Sequence, residues 1–317
     1  MNKYERVMAA YHGEKPDKVP CGFWYHFPEG YESGEAAVKI HLDFFENSHT
    51  DLCKIMNENL CPNDPEIQTA ADWSMLKPYT MHEPFIQNQI AMTKAIMDEM
   101  KGKAVVIATV HGLVACAYHI LGGGSLYDQD GLVLGRHVRE NPEGMHHAFS
   151  VITDYLKKLC RAFLDVGVDG IYLASLGGER RMFTDAEFAE FIAPYEIEIM
   201  KEIAQVPCFN ILHMCKSDLN LERYLQYPAD VLNWGVYEDN ISLEEGRKLF
   251  GEDKVYMGGM DDRAGAFVDG TLEEIQKTAQ DLVDTFGWNK FILGADCTLP
   301  TDLPTERIRA AAAGTVI

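Results

Sequence analysis

Eight short apolar runs punctuate this chain, at residues 19–24, 51–57, 104–110, 169–175, 206–213, 230–236, 254–260 and 290–297. Few of them alternate apolar with polar residues, which is how strands read when both faces of a parallel sheet are buried. The segments between them carry helix signals. Thr184-Asp185-Ala186-Glu187 has the capping-box pattern, and Phe188, Phe191, Ile192, Tyr195, Ile199 and Ile203 then recur at helical spacing. Ser242-Leu243-Glu244-Glu245 and Thr271-Leu272-Glu273-Glu274 repeat the box, each after a strand candidate. Eight strand–helix alternations predict an α/β fold, a (β/α)8 TIM barrel formed as a single domain over residues 1–317. Two connections are long: 58–83, after the second strand, and 111–141, after the third, which contains Gly122-Gly123-Gly124. Long loops on the C-terminal face of a barrel are candidate lids or docking surfaces.

Composition narrows the partners. The chain has 317 residues, 47% of them hydrophobic, enough for one large core. No 18-residue apolar stretch occurs, so no membrane association is expected. The formal net charge of −21 argues against nucleic acid, which calls for a basic footprint. Eight cysteines scattered through strands and helices do not form a disulfide framework. They suit a reducing compartment, and the expected location is the cytoplasm.

The chemistry concentrates at strand ends. His213 and Cys215 close the fifth run, and Cys297 closes the eighth. Residues two apart in extended chain face the same way. Parallel strands end on one rim, so an imidazole and two thiolates can converge there. Three such ligands suit catalytic Zn²⁺ with one position left open. Sulfur-rich ligation disfavours Mg²⁺ and Ca²⁺. The zinc unit would be close to neutral, and a substrate thiolate would make it anionic. Glu58 and Glu179, at rim positions after strands two and four, are candidate resting fourth ligands or catalytic groups. His26, after strand one, and Asn57, beside Glu58, are further catalytic candidates. His111, Trp234 and Asp261 are candidate cofactor contacts on the same rim, with Asn233 and Asp262 beside them. Buried cysteines acting as small hydrophobes are the plainer reading of the sulfur pair. No Gly-x-Gly-x-x-Gly follows a strand, and no Walker loop or Gly-x-Ser-x-Gly elbow is present.

The stretch FLDVGVDGIYLASLGGERRMFTDAEFAEFIAPY resembles the uroporphyrinogen decarboxylase superfamily, in which a Gly-acid-Gly strand leads through a Gly-Gly loop to a helix ending in Pro-Tyr. FILGADCTLPTDLPTERIRA is similar to its last strand and helix, and YERVMAAYHGEKPDKVPCGFW to its start. The resemblance spans nearly the whole chain and implies a (β/α)8 barrel. True decarboxylases of the superfamily carry arginines just after strand one and an aspartate after strand two. This chain has Phe23-Trp24-Tyr25-His26-Phe27-Pro28 and Asn57 there. The other branch, the methylcobamide-dependent methyltransferases, carries a zinc motif of His-x-Cys and a distant Cys that matches His213, Cys215 and Cys297. The resemblance therefore implies methyl transfer between a corrinoid (methylcobamide), presented by a separate corrinoid protein, and a zinc-activated small-molecule methyl acceptor or donor. A thiol such as coenzyme M is the family precedent. A tetrapyrrole decarboxylase, and a non-catalytic corrinoid-binding or structural-zinc protein, are the alternatives.

Overall fold

The computed structural model describes residues 1–123, 132–205, 209–238 and 240–317. Its eight strands are β1 (Cys21–Gly22), β2 (Leu52–Ile55), β3 (Val105–His111), β4 (Gly170–Ser175), β5 (Ile211–Met214), β6 (Val231–Trp234), β7 (Val255–Met260) and β8 (Phe291–Ala295). All pair in parallel, in the order β1-β8-β7-β6-β5-β4-β3-β2. One residue brings the free edges together. The Asp51 N–H donates to the Cys21 carbonyl at 2.8 Å, and its carboxylate accepts the Cys21 N–H at 3.0 Å. Arg6 Nη1 donates to the same carboxylate at 2.6 Å, so the first helix (Lys3–His12) is fastened at the seam. The fold is the expected (β/α)8 TIM barrel.

The period of two along each strand sorts the side chains. Leu52, Val105, Ile107, Ile211, Val231, Val255, Met257 and Ile292 form one cluster inside the barrel. Cys53, Ile55, Val106, Ile171, Leu173, Leu212, Met214 and Leu232 belong to the clusters between sheet and helices. Gly22 makes room for the inner cluster: a Cβ there would stand 2.7 Å from Leu52 Cδ1 and 2.8 Å from Met257 Cε.

The capping boxes at Thr184, Ser242 and Thr271 are all formed. The helix begun at Thr184 is not uniform. Ala193 N–H bonds the Phe188 carbonyl, five residues back, just before Pro194, which has no N–H to give. The strands are shorter than their apolar runs. Cys297 stands two residues beyond β8, and of the 206–213 run only Ile211 onward is strand, with 206–208 outside the described residues. Gly124 of the triple-glycine loop is also outside them. Among the described residues no helix is long and apolar enough to cross a membrane.

Behind the sheet, fully buried Glu196 on the helix Ala193–Ile203 ties β4 to the helix Leu113–Ile120. It accepts Ser175 Oγ at 2.6 Å, the Tyr227 hydroxyl at 3.1 Å and the Leu113 N–H at 3.2 Å. Burial outweighs these donors and pushes its pKa up to about 7. A carboxyl whose folded pKa is raised contributes stability below its unfolded pKa and loses it as pH rises through the folded one. Glu196→Gln removes this titration. The wild type should therefore lose about 2 kcal/mol relative to the variant between pH 5 and pH 8, measured by urea unfolding at both. A constant difference would show that Glu196 is ionised throughout.

Candidate metal centre

Strand register places the centre. His213 and Asn233 are direct partners across β5 and β6, and both point into the barrel. The Asn233 amide is fixed from three sides. Its Nδ2 donates to the carbonyls of Met257 on β7, at 3.0 Å, and Ala295 on β8, at 3.1 Å. Its Oδ1 must then accept, and it takes His213 Nδ1–H at 2.6 Å. That bond leaves the lone pair on Nε2. His213 Nε2 is buried and has no partner in the protein. Its ring is held by Tyr172 of β4, stacked at 5.3 Å between centroids and 22°.

The two thiols complete the group. Cys215 follows β5, and its N–H donates to the Ser175 carbonyl at the end of β4 at 3.0 Å. Cys215 Sγ and Cys297 Sγ lie 3.8 Å apart. The ligand atoms of His213, Cys215 and Cys297 all fall within 4.8 Å of one another, and among the described residues no other His, Cys, Asp or Glu group of three or more does so. Cys297 is held well below the ordinary thiol range, chiefly because it accepts the Cys215 S–H, with His213 adding to the effect; Cys215 is pushed up. A metal bound here would displace the thiol protons. Zinc–sulfur bonds of about 2.3 Å at a tetrahedral angle span ~3.75 Å between sulfurs, so the cysteine pair needs little movement to fit. An unpartnered imidazole nitrogen, two thiols at this spacing and a carboxamide behind the histidine suit a borderline-soft divalent ion.

Charged groups surround the trio. Lys54 of β2 points into the barrel, only 8% exposed. Its Nζ stands 4.1 Å from the Tyr172 ring centroid, 4.7 Å from that of Trp24 and 3.3 Å from Met56 Sδ. Burial pushes its pKa down to about 7 against the pull of Cys297, Glu58 and Cys215. Beyond β6, half-buried Glu238 is raised by burial and then by Cys297. Burial lifts Asp262 to about 6 and Asp296 to about 8. Asp296 accepts the Tyr237 N–H at 2.6 Å, while its Oδ1 has no partner.

The structure joins His26 and Glu58, Nδ1 to Oε1 at 2.8 Å. Asn57 is buried and local in its bonds: Oδ1 accepts the Asn59 N–H at 3.1 Å, and Nδ2 donates to the Thr109 carbonyl at 3.4 Å. His111 packs edge-on against His119 at 4.9 Å, and burial drives its pKa well down. Asp261 caps its own turn, accepting the N–H groups of Arg263 and Ala264. Glu179 is buried and accepts the Gly177 N–H at 3.0 Å; neither it nor Glu58 joins the metal-binding trio. Trp234 lies away from the mouth. One residue past inward Asn233, it points outward, donates Nε1 to the Ile241 carbonyl and fits over Gly246, where a Cβ would stand 2.2 Å from its ring. Lys54, Tyr172 and Glu238 were not anticipated. A lone ionisable residue inside the apolar run Leu52-Cys53-Lys54-Ile55 was the signal for the first.

The uroporphyrinogen decarboxylase (URO-D) family profile matches residues 53–313, a span that holds all three ligands. The chain belongs to the uroporphyrinogen decarboxylase (URO-D) family. No curated protein sequence matches it. Among solved structures it is similar to a methyltransferase from Methanosarcina mazei, with TM-score 0.81 and 15% identity, covering 99% of this chain and 98% of that one. It is also similar to a B12-independent methionine synthase from Shewanella sp. W3-18-1 in complex with selenomethionine, with TM-score 0.64 and 10% identity, covering 94% and 97%. A putative vitamin-B12-independent methionine synthase from Listeria monocytogenes gives TM-score 0.55 at 12% identity, covering 88% and 84%. At these identities the likeness is one of fold.

Within this URO-D barrel the ligand orientation depends on Asn233. Asn233→Ala should weaken Zn²⁺ binding about 10–100-fold, measured by competition with a chromophoric chelator. Cys215→Ser and Cys297→Ser should each remove most of the bound metal, measured by elemental analysis. Stoichiometric zinc in both cysteine variants would disprove the ligand set.

Proposed function

We propose that this protein is a cytoplasmic, zinc-dependent methyltransferase. In this reading residues 1–317 act as one barrel domain, and a methyl group moves between a corrinoid cobalt, carried by a partner protein, and a small substrate, foremost a thiol. The observation that carries the reading is His213 Nε2, buried without a partner and aimed with two thiols at one point. His213, Cys215 and Cys297 would hold the metal, which when bound supplies Lewis acidity and keeps a sulfur ligand deprotonated at neutral pH.

The chain's own groups do the positioning. Asn233 fixes the imidazole tautomer, and Tyr172 walls the ring. Glu58 accepts from His26 Nδ1 and orients that ring after β1. The fold neighbours named as B12-independent methionine synthases support methyl transfer on such a barrel without requiring a corrinoid, so the donor is a separate point to test. Decarboxylation of a tetrapyrrole is disfavoured. No arginine follows β1, and Asn57 uses its amide to hold the β2 loop, where true decarboxylases carry an acid.

The test is zinc-loaded protein with methylcobalamin and a set of thiols, coenzyme M and homocysteine included. The expected result is thiol-dependent loss of the methylcobalamin absorption spectrum, abolished in Cys297→Ser. Failure with every thiol, and with methanol, methylamines and methyl ethers offered to reduced cobalamin, would end the corrinoid reading. Conversion of uroporphyrinogen by metal-free protein would establish the decarboxylase instead.

A further inference from the structure

We propose that Lys54 is a positioning residue that makes this centre prefer an anionic ligand at its open coordination position. The inference rests on the metal reading of His213, Cys215 and Cys297 and goes beyond it by assigning the charge of the ligand that enters.

A divalent ion with two thiolates and a neutral imidazole carries no net charge. A neutral fourth ligand leaves it neutral, whereas an anionic one creates a buried negative charge. Such a charge is unfavourable in a low-dielectric interior unless a cation faces it. Lys54 supplies that cation when protonated, a state that burial resists and nearby negative charge favours. It lies on β2 inside the barrel, and its ammonium is flanked by the ring faces of Trp24 and Tyr172 with Met56 Sδ as its hydrogen-bond partner. Among the described residues no carboxylate oxygen lies within 4.0 Å of it. Tyr172 is the same ring that stacks on His213, so cation and ligand imidazole share one aromatic wall. Cys297, Glu58 and Cys215 are the negative groups that act on Lys54, with Cys297 foremost. Two ring faces and a thioether stabilise an ammonium only in part. The cation is thus under-compensated while the centre is neutral and matched once an anion enters.

The experiment uses the full chain loaded with Co²⁺, whose visible bands report the fourth ligand. Wild type, Lys54→Met, Lys54→Gln and Lys54→Arg are titrated at one pH with 2-mercaptoethanol and azide, both bound as anions, and with imidazole, which is neutral. Lys54→Met and Lys54→Gln should weaken both anions by about tenfold or more and leave imidazole within about twofold, while Lys54→Arg restores anion binding. Equal weakening of all three ligands would mark Lys54 as structural, and unchanged anion binding would remove it from the site; either overturns the proposal. Loss of cobalt binding in both neutral variants overturns it too, because Lys54 then serves folding. Wild-type protein that takes up no cobalt fails at the metal centre itself, a distinct result that also brings the proposal down.

Discussion

The centre depends on one carboxamide with no freedom left. Asn233 spends both amide hydrogens on the carbonyls of β7 and β8, and so has only an acceptor to offer His213. A serine or threonine there could turn its hydroxyl either way and would leave the imidazole tautomer undecided. The amide cannot, once its two donors are taken. The same side chain thus stitches three strands together and selects the nitrogen that points at the thiols. Barrel architecture makes this economical, because β5 to β8 are neighbours in the sheet and their upper ends converge.

A second constraint is electrostatic. The chain is strongly acidic, yet a lysine between aromatic rings points into the barrel, over the same Tyr172 ring that stacks on His213. Lysine is less suited to burial than arginine because its charge is compact and strongly hydrated. Its retention there makes sense where a charge must face a polarizable sulfur group without forking onto carboxylates. Burial, more than pairing, shapes the field at this mouth, since desolvation is the leading influence on Lys54, Glu238, Asp262 and Asp296 alike.

Much of this was legible in the sequence, for reasons that differ by residue. The barrel could be read because buried parallel strands leave short apolar runs and capped helices announce their starts. Thr184, Ser242 and Thr271 each form the box that their spacing foretold. The convergence of His213, Cys215 and Cys297 could be read because parallel strands end on one rim, so it needed no knowledge of register. Trp234 failed on phase. Asn233 and Trp234 are adjacent at the end of one strand, and only the cross-strand register decides which of them faces in. Glycine at 246 lets the indole lie flat on the following helix, a relation between residues twelve apart that no local period reveals. Glu58 and Glu179 lie outside the group formed by His213, Cys215 and Cys297, because a rim position says where a chain passes and not where its carboxylate is anchored.

Asn57 anchors the end of β2 through both ends of its amide. A carboxylate at this position would only accept hydrogen bonds and could not donate to the Thr109 carbonyl. The amide does both jobs, accepting from Asn59 and donating across to β3, and so makes the end of β2 a rigid support. His41 and Gln89 act on the same support: His41 Nε2 accepts the Met56 N–H, and Gln89 Nε2 donates to the Met56 carbonyl. Residues 56 and 57 are thereby held from three directions, between Lys54 and Glu58. Asn57 thus serves this chain as part of the frame at the end of β2. The frame is thus fixed by hydrogen bonds on both sides of the β2 end, between Lys54 on the strand and the Glu58–His26 pair beyond it.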